Sequence, residues 1–308
     1  MKITVMGSGG VGGYFGARLA AAGNDVTFVA RGAHLQAMQA KGLRLNSEIG
    51  DLLLNPVNVV PDPTTVPAAD VIIFAVKMRD TESAAESVRP LVEKGSTIFT
   101  FQNGVESAER IGKVVGAGNV VEGAARIATT ISEPGVIKQI GKFAMLEFGE
   151  RGGKASPRTS AFHAACVAAG IHATISENIS RTLWLKFAML APMAGMTALT
   201  RGPIGPIRRT PETHAMLKAA VEETVAAGVA AQTGLVPEDA TRTIKQIEGL
   251  PEGMMASMCH DLLAGKPLEI AGLSGAVARI AKAHGVPAPT HAFIVAALAP
   301  FAEGKPGV

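Results

Sequence analysis

The 308-residue chain is short of several residue types that particular classes of protein require. Its two cysteines, Cys166 and Cys259, form no CxxC pair and no metal-ligand spacing, so we expect buried, inert thiols in a reducing compartment and no metal site. One tryptophan and one tyrosine offer no aromatic platform on which bases could stack. The formal net charge is only +3 and the basic residues are scattered, so no nucleic-acid partner is expected.

Long uncharged apolar segments are missing as well, although 47% of the residues are hydrophobic. No apolar run is long and uncharged enough to span a bilayer, and no basic leader with a small-residue cleavage site precedes the first apolar run. We therefore expect a soluble, cytoplasmic protein with no membrane partner. The length is sufficient for two domains, each with a sizeable core.

The most informative feature of the chain is a glycine-rich segment near its start. It follows an apolar run over residues 3–6 that predicts a buried strand, it opens a predicted helix over 14–22, and a second strand is predicted over 26–30. A GxGxxG pattern in this strand–helix–strand context is typical of a dinucleotide-binding site. The candidate cofactor-binding residues of the segment are Gly7, Ser8, Gly9, Gly10, Val11 and Gly12.

Three glycines of this segment have separate physical roles in a dinucleotide site. Gly7 permits the tight turn out of the strand, Gly9 lets the backbone approach a pyrophosphate, and Gly12 allows the helix to pack closely on the sheet. The pyrophosphate is then expected to bind the free N–H groups at the positive end of the helix. The alternative is a glycine-rich turn that binds no ligand.

The end of the second strand indicates which dinucleotide is bound. An NAD site usually carries an acidic residue there, which accepts hydrogen bonds from the ribose 2′-hydroxyl. The strand instead runs into Arg31, whose planar fork of donors can pair with a 2′-phosphate, so NADP(H) is favoured over NAD(H). An arginine that only solvates a loop is the alternative. His34 is a candidate for a second phosphate contact, although a surface position on the next helix is favoured.

Beyond this unit the chain alternates strands with helices and then becomes helical. The first part is predicted to contain strands over 57–60, 71–76, 96–101, 120–123 and 171–175, short strands and turns over 135–150, and helices over 81–91 and 157–170. The second part is predicted to contain helices over 180–196, 212–233, 238–247 and 272–284. This order predicts an α/β protein with an N-terminal Rossmann-type, doubly wound sheet followed by an all-helical C-terminal domain. We place the domains at residues 1–177 and 178–308.

Several polar residues lie at strand ends or helix starts, where catalytic groups are commonly positioned. Lys77 and Asn103 each follow a predicted strand, and Lys186 lies on the first helix of the second domain. Ser257 and Glu269 come later in that domain. A lysine and a carboxylate brought to one site could perform general acid chemistry. From spacing alone, a solvated lysine on a helix is the simpler interpretation.

Eight short motifs, in order along nearly the whole chain, resemble the ketopantoate reductase (2-dehydropantoate 2-reductase) family. They are the GxGGVG segment, Arg31-Gly32-Ala33-His34-Leu35, Ala75-Val76-Lys77, Gln102-Asn103-Gly104, Trp184-x-Lys186, Ser257-Met258, Glu269-Ile270 and Ala283-His284-Gly285-Val286-Pro287-Ala288-Pro289. The resemblance implies a Rossmann NADP-binding domain, a helical substrate and catalytic domain, and NADPH-dependent reduction of a 2-oxo acid to a 2-hydroxy acid. It also implies an enzyme of pantothenate biosynthesis whose partner is a small-molecule substrate, and it leaves a homodimer open.

The resemblance assigns a role to each matching residue. Lys186 resembles the catalytic lysine that donates a proton to the carbonyl oxygen, and Glu269 the acidic residue that orients this lysine or holds a substrate hydroxyl. Ser257 is similar to the serine that contacts the substrate carboxylate. Asn103 resembles the asparagine that contacts both cofactor and substrate, and Lys77 the lysine near the nicotinamide ribose.

The chain departs from the family pattern on the helix that carries Lys186. The family typically has asparagines four and eight residues after the lysine, where this chain has Leu190 and Ala194, and a further asparagine where it has Ile204. Pro192 lies in the same helix, where a kink is expected. Leu190 and Ala194 are therefore candidate substrate-binding residues with apolar side chains. This leaves two alternatives open: a reductase of branched or aromatic 2-oxo acids with little ketopantoate activity, and a non-catalytic NADP(H)-binding sensor.

Overall fold

The computed structural model describes residues 1–305, which group into two compact units. The first unit consists of Met1–Gln102 and Ser107–Ile179. The second consists of Asn103–Glu106 together with the chain from Ser180 onward. The short segment Asn103–Glu106 directly continues the chain of the first unit but makes its contacts in the second.

The first unit contains one sheet, to which ten strands contribute within the described residues. The strands are β1 (Lys2–Met6), β2 (Asp25–Val29), β3 (Leu43–Ser47), β4 (Leu52–Leu54), β5 (Val59–Val60), β6 (Val71–Phe74), β7 (Thr97–Thr100), β8 (Val120–Glu133), β9 (Val136–Gly149) and β10 (His172–Ile175). The order β5-β2-β1-β6-β7-β8 is parallel throughout. β9 runs antiparallel to β8 and pairs in parallel with β3 and β10, and β4 forms an antiparallel edge. The fold is therefore a Rossmann-type parallel sheet extended by a mixed edge.

Helices cover both faces of this sheet, which explains its continuous apolar strands. The helices of the first unit are α1 (Gly10–Ala21), α2 (Gly32–Lys41), α3 (Thr81–Val92), α4 (Ser107–Val115) and α5 (Pro157–Ala168). Alternate residues of β6 enter two separate cores: Val71 and Ile73 pack with residues of α1 and α5, whereas Ile72 and Phe74 pack with residues of α3 and α4. A strand buried on both faces carries no polar alternation.

Each strand and helix predicted for the first unit corresponds to an observed element, although α1 begins earlier than predicted and residues 120–150 differ from the prediction. Residues 120–150, predicted as short strands and turns, form the long hairpin of β8 and β9, each of 14 residues. Register shifts between Ile127 and Ala128 and between Ile131 and Glu133 interrupt the alternation that would have predicted such long strands. The hairpin of β3 and β4 and the helix α4 were not predicted.

The second unit is helical, as predicted. Its helices are α6 (Ile179–Thr200), α7 (Ile204–Arg209), α8 (Pro211–Ala230), α9 (Glu238–Glu248), α10 (Ser257–Leu263), α11 (Ser274–Ala283) and α12 (Pro289–Leu298). Pro192 lies inside α6, and the helix continues through it over all 22 residues. The predicted helices 180–196, 212–233, 238–247 and 272–284 correspond to α6, α8, α9 and α11.

The expectation that no segment could cross a bilayer needs correction for α6. This helix is long and apolar enough by length and composition to do so, but 67% of its apolar window is buried inside the protein. Near its start, Arg181 forms a paired contact with the buried carboxylate of Asp239 on α9, at 2.8 and 3.0 Å. Such burial and pairing are typical of the central helix of a globular unit.

Both cysteines are free and buried, as expected for inert thiols. Burial raises the pKa of Cys166 to about 12 and also raises the pKa of Cys259. A thiolate is therefore strongly disfavoured at Cys166 at neutral pH.

The titratable side chain of His291 on α12 is completely buried in the helical unit, with 0% exposure. Its Nε2 lies 2.9 Å from the carbonyl oxygen of Ala220 and 2.9 Å from the hydroxyl of Thr224, both on α8. The nearby carboxylate of Glu223 accepts the backbone N–H of His291 at 3.0 Å. Burial lowers the pKa of His291, opposed by the bond to Ala220 and by the charge of Glu223.

We expect the folded protein to lose stability as the pH falls below the unfolded histidine pKa of 6.5. Because the folded pKa of His291 is lowered, the unfolded chain binds the proton more readily, so its contribution is complete above 6.5 and declines below it. The slope from one proton is at most about 1.4 kcal/mol per pH unit. The free energy of unfolding, measured with denaturant at pH 7.5 and 5.5, should fall less between the two pH values for His291→Gln than for the wild-type protein. Equal falls would show that His291 is not the source of the pH dependence.

Candidate active site

The glycine segment has the geometry that its sequence predicts. Gly7 has a φ of +98°, and a Cβ there would lie 2.7 Å from the backbone nitrogen of Val76. A Cβ on Gly12 would overlap the carbonyl oxygen of Gly7 and lie 3.0 Å from Val5. Only glycine fits at either position, because the turn and the helix are both pressed against strand ends.

Helix α1 begins at Gly10 rather than near Tyr14, so the glycine segment itself forms its first turn. The N-cap residue is Gly9, and a Cβ placed there would meet no atom within 4 Å. The first turn carries no acidic residue that would compete for its N–H groups. The start of α1 therefore provides open space, backbone donors and a positive helix end, which together fit the pyrophosphate of a dinucleotide.

Two residues of the segment serve its own packing. Ser8 is buried, and both its hydroxyl and its N–H donate to the carbonyl oxygen of Val29, at 2.8 and 3.3 Å. This ties the segment to the end of β2. A Cβ on Gly10 would lie 2.7 Å from the hydroxyl of Thr129 on β8, so the hairpin also requires glycine there. Val11 is half-buried.

Arg31 is exposed and occupies the N-cap of α2, two residues after the end of β2. The position from which the sequence predicts cofactor selection thus carries an exposed guanidinium. The favoured interpretation of His34 as a surface histidine is wrong. Its ring is half-buried, and both ring nitrogens have hydrogen-bond partners, the Ser8 carbonyl and the Gly135 amide.

Lys77 is exposed and lies between β6 and the 3₁₀ turn Met78–Asp80. The loop that carries it is held by Gln102, a buried residue that sequence analysis did not identify as functional. The Gln102 amide donates to the carbonyl oxygen of Val76 at 3.0 Å and to the hydroxyl of Thr81 at 2.9 Å. The place of Gln102 in the Gln102-Asn103-Gly104 motif was the sequence signal that could have identified it.

In the second unit, the structure brings together two residues that are 83 positions apart in the sequence. The ammonium of Lys186 on α6 donates to the side-chain oxygen of Asn103 at 3.0 Å. Both residues are half-buried. This hydrogen bond directs the Lys186 ammonium towards the side chain of Asn103.

Arg279 on α11 holds two neighbouring segments of this unit, and sequence analysis missed it. Its guanidinium contacts the Glu106 carboxylate at 2.6 Å and donates to the carbonyl oxygen of Ala271 at 3.0 Å. Glu106 lies three residues after Asn103, and Ala271 two residues after Glu269. Arg279 therefore joins the segments that carry these two candidate residues.

The remaining candidates differ in how much surface they expose. Ser257 is exposed at the first position of α10, and Glu269 is half-buried at the N-cap of the 3₁₀ turn Ile270–Gly272. Leu190 is half-buried one turn after Lys186, whereas Ala194 is 1% exposed. Ile204 is completely buried. Of the three apolar departures, only Leu190 has appreciable surface to offer a ligand.

No group of three or more His, Cys, Asp or Glu side chains within residues 1–305 could hold a metal ion. Among the described residues, those at the start of α1 fit the pyrophosphate of a dinucleotide cofactor.

Comparison with known families gives this geometry a context. The family model of ketopantoate reductase PanE/ApbA matches residues 3–153, and its C-terminal model matches residues 178–302. The chain belongs to the ketopantoate reductase family. It is accordingly an oxidoreductase that acts on a CH–OH group.

Individual members support this membership over nearly the whole chain. The 2-dehydropantoate 2-reductase of Mesorhizobium japonicum is 30% identical, with 94% of each chain covered. The crystal structure of a PanE/ApbA family ketopantoate reductase from Ralstonia eutropha JMP134 has a TM-score of 0.89 at 30% identity and covers 98% of each chain. A ternary structure of D-mandelate dehydrogenase with NADH and anilino(oxo)acetate has a TM-score of 0.88 at 22% identity, and this likeness shows the fold alone. The D-mandelate dehydrogenase structures contain NADH.

Proposed function

We propose that this ketopantoate reductase family member catalyses the NADPH-dependent reduction of a 2-oxo acid, 2-dehydropantoate, to the corresponding 2-hydroxy acid. The observation that carries the proposal is the contact between the Lys186 ammonium and the Asn103 amide. It gives the helical unit an oriented proton donor, which a protein that only binds a nucleotide does not need. The names of the relatives favour this function over a reductase of apolar 2-oxo acids and over a sensor.

The chemistry requires a proton and a hydride at one carbonyl group. Lys186 donates the proton to the carbonyl oxygen, and its positive charge stabilises the negative charge that develops there. The carbonyl carbon would accept the hydride that a nicotinamide cofactor supplies when it is bound. Asn103, which accepts the Lys186 hydrogen bond at 3.0 Å, directs the ammonium. The product alcohol leaves Lys186 neutral until it regains a proton from solvent.

Other residues of the helical unit recognise the substrate. Ser257 is placed at the start of α10, where its hydroxyl can bind the substrate carboxylate. Glu269 binds the substrate hydroxyl or orients Lys186. Leu190, and Ala194 behind it, provide the apolar surface against the dimethyl carbon of the substrate.

The first domain binds the cofactor, which we propose is NADP(H). Residues 7–12 would hold the pyrophosphate, Lys77 would contact the nicotinamide ribose, and Arg31 would bind the 2′-phosphate. We assign residues 1–177 to this NADP-binding domain and residues 178–308 to the substrate and catalytic domain. We further propose a cytoplasmic enzyme of pantothenate biosynthesis that acts on a small molecule, without a nucleic-acid or membrane partner, and that forms a homodimer.

A panel of 2-oxo acids, with NADPH oxidation followed by absorbance, tests the proposal. We expect ketopantoate to have a higher kcat/KM than branched or aromatic 2-oxo acids that carry no hydroxyl group. A site with Ser257 and Glu269 can form a hydrogen bond to the hydroxyl of ketopantoate, and one such bond contributes roughly 0.5–1.5 kcal/mol. The variant Leu190→Asn replaces the apolar side chain with a polar one, so the same panel on this variant measures how the apolar surface affects kcat/KM for each acid. A preference for the apolar acids would replace the substrate assignment, and no oxidation with any acid would contradict the catalytic function.

A further inference from the structure

His34 lies on the first turn of α2 and joins two segments that are far apart in the sequence. Its Nε2 lies 2.9 Å from the carbonyl oxygen of Ser8, and the amide of Gly135, in the β8–β9 turn, donates to its Nδ1 at 3.0 Å. A carbonyl oxygen only accepts and a backbone amide only donates, so the two partners require the neutral ring with its proton on Nε2. Burial, partly opposed by the bond to Ser8, lowers the pKa of His34 and favours the same form.

The far end of this bridge is itself fixed. The Gly135 carbonyl oxygen accepts the backbone N–H of Arg44 on β3 at 2.9 Å. The backbone of Gly135 has a φ of +81°, and a Cβ there would lie 3.1 Å from the side chain of Ala37 on α2. The hairpin turn is thus anchored to β3 and α2, and it gives the ring of His34 a defined orientation.

The near end of the bridge is the peptide that precedes the N-cap of α1. The Ser8 hydroxyl and N–H already donate to Val29, so His34 completes the hydrogen bonding of this residue. Because the peptide unit is planar and trans, fixing the Ser8 carbonyl also fixes the opposite direction of the Gly9 N–H. Gly9 is the N-cap with open space around its Cα, which is where a pyrophosphate would meet the backbone.

We infer that His34 is a positioning residue for the dinucleotide: it holds the Ser8 carbonyl and so aims the backbone donors at the start of α1. This inference rests on the proposed function, because it concerns the same cofactor site. The inference can be tested by distinguishing a contact with the pyrophosphate from a contact with the 2′-phosphate. The pyrophosphate is common to NADPH and NADH, so loss of His34 should weaken both cofactors equally, whereas a contact with the 2′-phosphate would affect NADPH alone.

Three substitutions divide the bridge into its two halves. His34→Ala removes both bonds, and we expect the Kd of NADPH and of NADH to rise about 3- to 10-fold, as for the loss of one hydrogen bond. The amide of His34→Gln reaches the position of Nε2 and can still donate to Ser8, so its affinities should lie within about twofold of wild type. The oxygen of His34→Asn lies near the position of Nδ1 and can accept only from Gly135, so this variant should resemble His34→Ala.

The experiment measures NADPH and NADH binding by fluorescence titration, kcat at saturating NADPH, and amide hydrogen exchange at Gly135 without cofactor. We expect kcat to stay unchanged while KM for NADPH rises, and protection of the Gly135 amide to persist in His34→Asn but not in His34→Gln. Equal affinities of the Gln and Asn variants, or a loss confined to NADPH, would overturn the inference even if His34→Ala does not fold. A wild-type protein that binds neither cofactor would overturn the proposed function and this inference together, whereas unchanged variants overturn only the inference.

Discussion

Replacement of Lys186 by alanine should lower kcat by about 10²- to 10⁴-fold, the usual effect of removing a positioned general acid. The ammonium is held at 3.0 Å from the Asn103 side-chain oxygen, so the wild-type protein does not have to organise its proton donor during the reaction. Lys186 lies in the second unit, whereas the glycine segment lies in the first. The Kd of NADPH should therefore remain close to that of wild type. Steady-state kinetics and a binding titration on the same preparation separate the two effects.

Two variants control for charge and for surface changes. Lys186→Arg keeps a positive charge but places it on a guanidinium that does not release its proton, so it should retain part of the charge stabilisation and little of the proton transfer. Lys218→Ala removes an exposed lysine from the middle of α8 in the same unit, and its kcat should match that of wild type. If Lys186→Ala turns over within a few-fold of wild type, Lys186 is not the proton donor.

The alternation of strands and helices made most of the fold predictable. The buried run of β6 and the glycine segment each point to one structure, because a strand with core on both faces is uniformly apolar and a GxGxxG turn tolerates few alternatives. The β8–β9 hairpin was not predictable from its pattern, since shifts of register near Ile127 and Ile131 break the alternation. The helix start was placed late because glycines at positions 10 and 12 disfavour a helix by propensity.

The candidate site also has a part that the sequence predicts and a part that it does not. Lys186 and Asn103 were identified from motifs, but their 3.0 Å contact depends on a segment that leaves the first unit to pack in the second. The contacts of Arg279 and His34 could not be predicted, because their partners include backbone carbonyls and amides, at Ala271, Ser8 and Gly135. A backbone group carries no sequence signal, so any residue type can supply it.

Replacement of Arg31 by alanine should weaken NADPH binding by roughly 1.5–3 kcal/mol, the usual contribution of hydrogen bonds to a charged group. This corresponds to a Kd about 10- to 150-fold higher. The Kd of NADH should change by less than about twofold, because NADH has no 2′-phosphate to pair with a guanidinium. Arg31 is exposed at the N-cap of α2, so the contact should also weaken with added salt, and NADPH affinity should fall more steeply with ionic strength than NADH affinity.

The controls for Arg31 distinguish a paired contact from a general field effect. Arg31→Lys keeps the charge but loses the planar fork, so it should recover only part of the NADPH affinity. Arg89→Ala removes an exposed arginine of α3 that pairs with Glu86, and it should leave both cofactors unaffected. Arg31→Ala should thus change the ratio of the two affinities, whereas His34→Ala should change both affinities and leave their ratio intact. Equal kinetic constants for NADPH and NADH in the wild-type enzyme would show that Arg31 does not select the cofactor.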